Sequence, residues 1–298
     1  MTTLAKSRSI ASKGRVNTLP LLLPALFVLL LWMIVPLAMT LWFSFQRYNL
    51  LNPLTRGFAG FDNYKSLLTD SALWTAMLNT LILVGSVLAI TVVLGTLLAV
   101  LFDQDFFGRT VARLLIIAPF FVMPTVSALI WKNMLLHPVN GLLAFLMRSA
   151  GFEAIDWFGR WPMAAVVLIV SWQWVPFALL ILLTAIQSLD QEQREAARMD
   201  GARPFHMFFF IILPHLRRAI SVVIMIETIF FLSVFAEIFV TTSGGPGLAT
   251  TNLAFLIYIR ALLEYDVGNA SAGVVIAIIL ANIVAIFLTR TVARTLEA

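Results

Sequence analysis

Residues 195–214 read EAARMDGARPFHMFFFIILP, and the way this charged stretch interrupts an otherwise apolar chain decides the fold. The run from Asp190 to Met199 carries the marks of a short helix. Asp190 is placed to cap its N-terminus, Glu192 lies in the first turn, and Arg194 and Arg198 sit toward the C-terminal end, where the helix dipole favours cations. Gly201 supplies the turn that ends it, and Pro204 restarts the chain. This is the one charged, turn-bearing segment long enough to present a docking surface, so it points to coupling with a second protein. The same residues would equally serve as an ordinary capped helix between two apolar segments.

Composition places those apolar segments in a bilayer. Of 298 residues 61% are hydrophobic and 12% charged, with a mean hydropathy of +0.96, which leaves too little polar surface to clothe a soluble globule. Runs of membrane-spanning length fall near 19–45, 73–102, 114–131, 161–186, 219–241 and 270–289, which gives an all-α integral membrane protein of six helices. The third run is short and holds Pro119 and Pro124, so it reads as a kinked helix whose freed carbonyls need partners from neighbouring helices. This divides the chain into an N-terminal tail over 1–18, a first helix over 19–45 and a core over 73–290, with the charged loop at 190–218.

Orientation follows from Lys and Arg. With the N-terminus inside, thirteen of the 20 basic residues fall in the tail, at 109–113, in 194–218 and at 290–294, against seven in the outer loops. The positive-inside bias therefore puts both termini and the 190–218 loop in the cytoplasm. A net charge of +5 and a pI near 10.0 reflect this topology, with no basic face interleaved with aromatics that would suit nucleic acid. The first apolar run, about 27 residues without a small-residue cleavage site, reads as an uncleaved signal anchor. There are no cysteines, which excludes disulfides and thiolate chemistry.

Three groups of residues carry a family resemblance. Glu195, Ala196, Ala197, Gly201, Ile211, Leu213 and Pro214 reproduce the spacing of the cytoplasmic loop signature of binding-protein-dependent ABC importer permeases, and Asp200 beside the glycine is counted with that loop. The segment 235–258, FAEIFVTTSGGPGLATTNLAFLIY, is similar to the carbohydrate branch of that family through Thr242, Gly244, Gly245, Pro246 and Thr250. Asn79-Thr80, Gly95 and Leu98-Ala99 stand where the family carries them in the second span, so the resemblance covers about residues 19 to 290. Within the branch, Phe235 to Thr242 with its Glu237 resembles the mannitol and sorbitol permeases. Read as residues alone, Gly244-Gly245-Pro246 is a sharp, water-facing outer turn of a kind that many loops carry.

The resemblance implies the fold of a type I ABC importer transmembrane domain, with the loop as a coupling helix seated in a groove on a cytoplasmic ATPase dimer. ATP and Mg would be held by that ATPase, with no cofactor on this chain. A second permease subunit, most simply a different one, would complete the pore, although a homodimer is open. An extracytoplasmic binding protein would deliver a sugar or polyol.

Substrate-pathway candidates come from the residue types themselves. Glu227 falls mid-span and Glu237 near the outer end of the same expected helix, and a charged group in hydrocarbon costs about 2.5–3.5 kcal/mol on insertion scales, so neither belongs on a lipid face. A carboxylate in a watery cavity accepts hydrogen bonds from polyol hydroxyls, and Trp172 and Trp174, which flank Gln173, could pack against a carbon chain. Bonding to a neighbouring helix or plain packing is the structural reading of each.

Enzyme readings fail on the residues. Of the four lysines, Lys6 and Lys65 precede Ser without the glycine-rich run of a phosphate loop, and three dispersed His give no metal spacing. An ion-coupled secondary carrier acting through Glu227 and Glu237 is the alternative transport class, distinguished by having no use for an ATPase-docking loop.

Overall fold

A computed structural model describes residues 19–297, so the expected tail over 1–18 lies outside the described residues. The described chain is mostly helical. α1 spans Leu19–Ser44, α2 Asp62–Thr69, α3 Ser71–Asp103, α4 Arg109–Ile117, α5 Pro124–Ile130, α6 Leu142–Ser149, α7 Trp157–Arg160 and α8 Pro162–Gln187. There follow α9 Gln191–Met199, α10 Pro204–Met207, α11 Leu213–Phe231, α12 Ala236–Thr241, α13 Leu253–Tyr258 and α14 Val267–Glu297. A two-stranded antiparallel hairpin, β1 Gln46–Arg47 with β2 Gly57–Phe58, follows α1.

Five helical stretches among the described residues are long and apolar enough to cross a membrane, and a sixth arises if one bent pair counts as a single span. The sequence expectations of 19–45, 73–102, 161–186 and 270–289 correspond to α1, α3, α8 and the first two-thirds of α14. Two others differ. The fifth span runs from Pro204 to Phe231 rather than over 219–241. Its helix starts at Pro204 and passes through a wide π turn, Phe208–Ile212, before α11. Pro214 has no N–H for the carbonyl of Phe210 four residues back, and the wide turn sits where that bond is lost. The charged loop therefore ends near Arg203, so Ile211, Leu213 and Pro214 belong to the span. The same helix stops at Phe231, so Glu237 stands on a separate element, α12.

The third run is the bent pair. Arg109–Phe121 and Pro124–Leu135 meet at 107°, a break and not merely a kink. Met123 is held extended by the proline that follows it (φ −59°, ψ 139°), and Pro124 opens the next helix.

α3 and α8 form the axis of the fold. Gly95 lets them touch, since a Cβ there would come 2.6 Å from the Ala178 Cβ and 3.2 Å from the Leu179 backbone nitrogen. Lipid tails are as apolar as leucine, so this close approach of small residues supplies the van der Waals gain that drives helix association in a bilayer. Around it Ala99, Leu179, Leu182, Ile186, Leu216 and Val223 form one buried cluster, and Leu83, Val87, Val170, Phe231, Ile238 and Phe255 another.

Alternation of the spans puts the start of α1, the ends of α3 and α8, α9 and the end of α14 at one end of the molecule. At the opposite end the hairpin and α2 are tied to α1 and α14. Asn63 donates to the Ser44 and Gln46 carbonyls at 2.9 Å, and Gly268 N donates to the Tyr48 carbonyl at 3.1 Å. Arg260 bonds Asp70 and Glu264 there.

Candidate functional site

The 190–203 loop is built as a capped helix. The Asp190 carboxylate accepts from Glu192 N at 3.0 Å, and Gly201 ends the helix in the left-handed region at φ +77°. A Cβ there would meet nothing within 4 Å, so glycine is favoured by backbone conformation and not by space at the Cβ. α9 buries none of its residues. Glu195, Ala196 and Asp200 are exposed, Ala197 is half-buried, and Glu195 accepts from Gln191 Nε2 at 3.0 Å. The structure thus offers Glu195, Ala196, Asp200 and Gly201 together on one open surface and leaves Ile211, Leu213 and Pro214 in the following helix.

A set of side chains missed in the sequence ties this loop to the spans. Arg194 Nη1 pairs with Asp103 Oδ2 at 2.6 Å at the end of α3, and its Nη2 donates to the Ile186 carbonyl at 2.6 Å at the end of α8. Arg113 donates to the Phe102 carbonyl at 3.0 Å, and His215 Nε2 lies 2.9 Å from the Ala185 carbonyl. Helix C-termini leave four carbonyls without intrahelical donors, and here Arg113 and Arg194 meet one on α3 and one on α8 with the charge that the dipole favours, while the His215 ring lies against a third. An acidic residue at the very end of an apolar run was the signal for Asp103; nothing in the sequence pairs it with Arg194.

Gln173 has a definite partner. Its Nε2 donates to the Val122 carbonyl at 2.6 Å, in the break of the bent pair, so the midspan amide supplies the donor that the broken helix lacks. The adjacent tryptophans face different places. Trp174 packs into an aromatic wall, with Phe230 at 4.9 Å, Phe231 at 5.3 Å, Phe120 at 5.7 Å and Phe177 at 5.8 Å between ring centroids. Trp172 meets Trp131 edge-on at 5.7 Å and lines a separate cavity of about 650 Å³ between α3, α4 and α8.

Glu227 is fully buried on α11, where its Oε2 lies 2.6 Å from Thr91 Oγ1 of α3. Its Oε1 has no hydrogen-bond partner among the described residues. Glu237 is 4% exposed in the first turn of α12. The two carboxyls lie on helices separated by the break at 232–235, so they do not share the single helix expected of them.

The Gly244-Gly245-Pro246 turn is exposed at its proline end, while the segment that follows it is packed into the protein. Pro246 is exposed, but Gly244, Thr250, Thr251 and Asn252 are buried. Asn79 donates to the Leu248 and Thr251 carbonyls at 2.7 and 3.0 Å, Thr80 accepts from Leu253 N at 3.0 Å, and Asn252 donates to the Val234 carbonyl at 2.6 Å. Gly244 has φ +84°, and a Cβ on it would come 2.6 Å from both the Phe255 ring and Thr251 Oγ1. The neighbouring Gly245–Pro246 peptide is cis. Buried backbone groups away from water need such partners, and the second span provides them, Asn79 as donor to two carbonyls and Thr80 as acceptor for the Leu253 N–H.

Comparison with known proteins agrees with this architecture. Residues 73–298 match the family described as binding-protein-dependent transport system inner membrane component. A probable ABC transporter permease protein, y4oQ, of Sinorhizobium fredii is 34% identical over 252 residues, covering 84% of this chain and 81% of that one. The trehalose/maltose transport system permease protein MalF of Thermococcus litoralis is 32% identical over 262 residues, covering 87% and 86%. Among solved structures, a bacterial ABC transporter involved in the import of the acidic polysaccharide alginate superposes with a TM-score of 0.79 at 22% identity, covering 93% of this chain and 94% of that one. A bacterial alginate ABC transporter in complex with alginate pentasaccharide-bound periplasmic protein gives 0.78 at 22%, covering 93% of each chain. At that identity the likeness shows a shared fold, that of type I importer permease domains.

Proposed function

We propose a division of labour within this chain from one premise: it belongs to the binding-protein-dependent transport system inner membrane components, and is a multi-pass inner-membrane permease subunit of an ABC sugar importer. That membership replaces the ion-coupled carrier alternative. α9 is then the coupling helix, seated in a groove of a cytoplasmic ATPase dimer that binds ATP and Mg. Both chain termini face the cytoplasm, and a second permease subunit, most simply a different one, completes the pathway. A binding protein delivers solute at the opposite end, where the 242–252 segment and the Gln46–Phe58 hairpin lie. The alginate transporter's complex with a periplasmic protein supports that last partnership by analogy.

The observation that carries the proposal is the construction of α9: a capped helix with no buried residue, an exposed Glu195–Ala196 face and a Gly201 turn, held to two spans. Physically this is a rigid handle on a bistable body. Nucleotide binding favours one arrangement of the ATPase pair and hence of α9, and the loaded binding protein favours one arrangement of the opposite end.

For the solute path we assign Glu227 and Trp174, with the aromatic wall around Trp174 as a surface for the apolar face of a sugar or polyol and the unpartnered Glu227 Oε1 as an acceptor for hydroxyls. Glu237 is kept as a second acceptor near the outer segment. Gln173 and Trp172 leave the list, one engaged with Val122 and the other turned into a different cavity. The finer reading, a polyol such as mannitol or sorbitol, is supported by the Phe235–Thr242 segment, while one relative is a trehalose/maltose permease.

The test is co-purification from native membrane, with mass spectrometry of the partners and an ATPase assay against binding protein loaded with mannitol, sorbitol, maltose or trehalose. An ATPase and a second permease co-eluting, with hydrolysis stimulated by a loaded polyol, is the expected result. Stimulation by a disaccharide alone refutes the polyol reading, and elution of the chain without an ATPase refutes the assignment of α9.

A further inference from the structure

We infer that Arg194 is the positioning residue that makes α9 and the ends of α3 and α8 move as one body, with Asp103 as its required counter-charge. The inference deepens the importer reading and rests on it.

α9 buries no residue, so apolar packing does not fix it to the spans. On one side it joins α8 through Ser188–Asp190, and on the other it ends at the left-handed Gly201, so a push on its surface would pivot it between two short connections. Arg194 removes that freedom. Its guanidinium reaches Asp103 at 2.6 Å, 91 positions away in sequence, and the Ile186 carbonyl at 2.6 Å with a second nitrogen. Both charged side chains are 17% exposed, which shields the pair from the screening that empties surface ion pairs of value. A planar fork with separately directed N–H groups can hold a carboxylate and a carbonyl at once, which the point charge of a lysine does not reproduce. Arg113 on the Phe102 carbonyl and His215 on the Ala185 carbonyl stiffen the helix ends that receive the motion. A displacement of α9 therefore reaches α3 and α8 together, and these are the two helices locked against each other at Gly95 and Ala178.

The chain has no cysteine of its own, which makes the contact addressable by thiol chemistry. The experiment uses the reconstituted importer with its ATPase, second permease and binding protein, and reads solute taken up per ATP hydrolysed. Arg194→Gln, Arg194→Lys and Asp103→Asn are expected to retain the ATPase on purification and to retain hydrolysis, while uptake per ATP falls on the order of tenfold, within the range of coupling between linked sites. Asp103→Cys with Arg194→Cys is expected to be uncoupled to the same degree and to recover when the thiols are joined by a short bis-maleimide. A ratio unchanged in the single variants overturns the inference, as does a cross-link that blocks uptake or leaves it uncoupled. Loss of the ATPase from the Arg194 variants also overturns it, because Arg194 would then be a docking contact and not an internal strut. A wild-type complex without any ATP-dependent uptake refutes the importer reading itself, a result visible before any variant is made.

Discussion

Replacing Gln173 by Leu separates a structural cap from a solute contact. The substitution keeps approximate volume and removes the donor that lies 2.6 Å from the Val122 carbonyl in the break between Phe121 and Pro124. Leaving a buried acceptor unmet costs about 1–3 kcal/mol in soluble proteins. Side-chain hydrogen bonds within membrane proteins average nearer ~0.6 kcal/mol, with a maximum around 1.7, because the unfolded chain in lipid also finds partners. One compensation is built in: Gln173 Oε1 has no partner among the described residues, so its removal relieves an existing penalty. The net expectation is destabilisation by about 1 kcal/mol, roughly a fivefold shift in the unfolding equilibrium. The loss should concentrate at the bent pair. The assay is denaturant unfolding of the purified chain in mixed micelles, with proteolysis to report opening near 122–124, alongside the solute concentration for half-maximal uptake in the assembled importer. Unchanged stability together with a raised half-maximal concentration for one solute would refute the argument and return Gln173 to the solute path.

Further outcomes follow from the same geometry. Gly244→Ala should destabilise by roughly 2–5 kcal/mol, from left-handed strain of about 1–2 and overpacking of about 1–3 against Phe255 and Thr251, measured as loss of thermal stability in detergent. At Gly201→Val the Cβ meets no atom within 4 Å, so the main cost should be the backbone strain of about 1–3 kcal/mol locally; insertion and the binding protein's solute affinity should stay unchanged while ATP-driven uptake in vesicles is abolished. Survival of uptake in that variant would remove the coupling role from the turn. Glu227→Gln keeps an oxygen for Thr91 and loses the carboxylate, so uptake should fall while the yield of assembled complex stays level; loss of assembly instead would make Glu227 a packing residue. Asn79→Leu should expose the 242–252 segment to protease, since both its anchoring bonds to Leu248 and Thr251 go with the amide.

The spans of α1, α3, α8 and α14 are legible because long uninterrupted apolar runs have few alternatives in a bilayer. The fifth span is misplaced for a local reason. Arg217, Arg218 and His215 look like the edge of a loop, yet they lie within a helix that has already begun at Pro204. The break after Phe231 carries no proline or glycine, and it is a partner distant in sequence, Asn252 on the Val234 carbonyl, that meets the freed backbone there. Pro119 and Pro124 announce an interruption, but their presence alone does not give the 107° angle. At the candidate sites the capped helix and its Gly201 turn are readable, since caps are local chemistry. The Asp103–Arg194, Thr91–Glu227 and Asn79–Leu248 partnerships are not, because each joins residues far apart in sequence whose meeting depends on how whole helices cross.

The packing of α1 against α14 has a consequence for biogenesis. Those two helices are the first and last of the described chain, and between Ser44 and Val267 a ribosome working at about 5–20 residues per second takes roughly 10–45 s. Throughout that interval α1 waits in lipid without its neighbour, and its fully apolar circumference makes the wait tolerable. The hairpin pairing and the Asn63 bonds to Ser44 and Gln46 need no residue of α14, but the bond of Gly268 N to the Tyr48 carbonyl forms only when α14 arrives. The junction of the hairpin with α14 is thus the last part of that end to close, and truncation before residue 267 would leave α1 inserted without the helix it packs against.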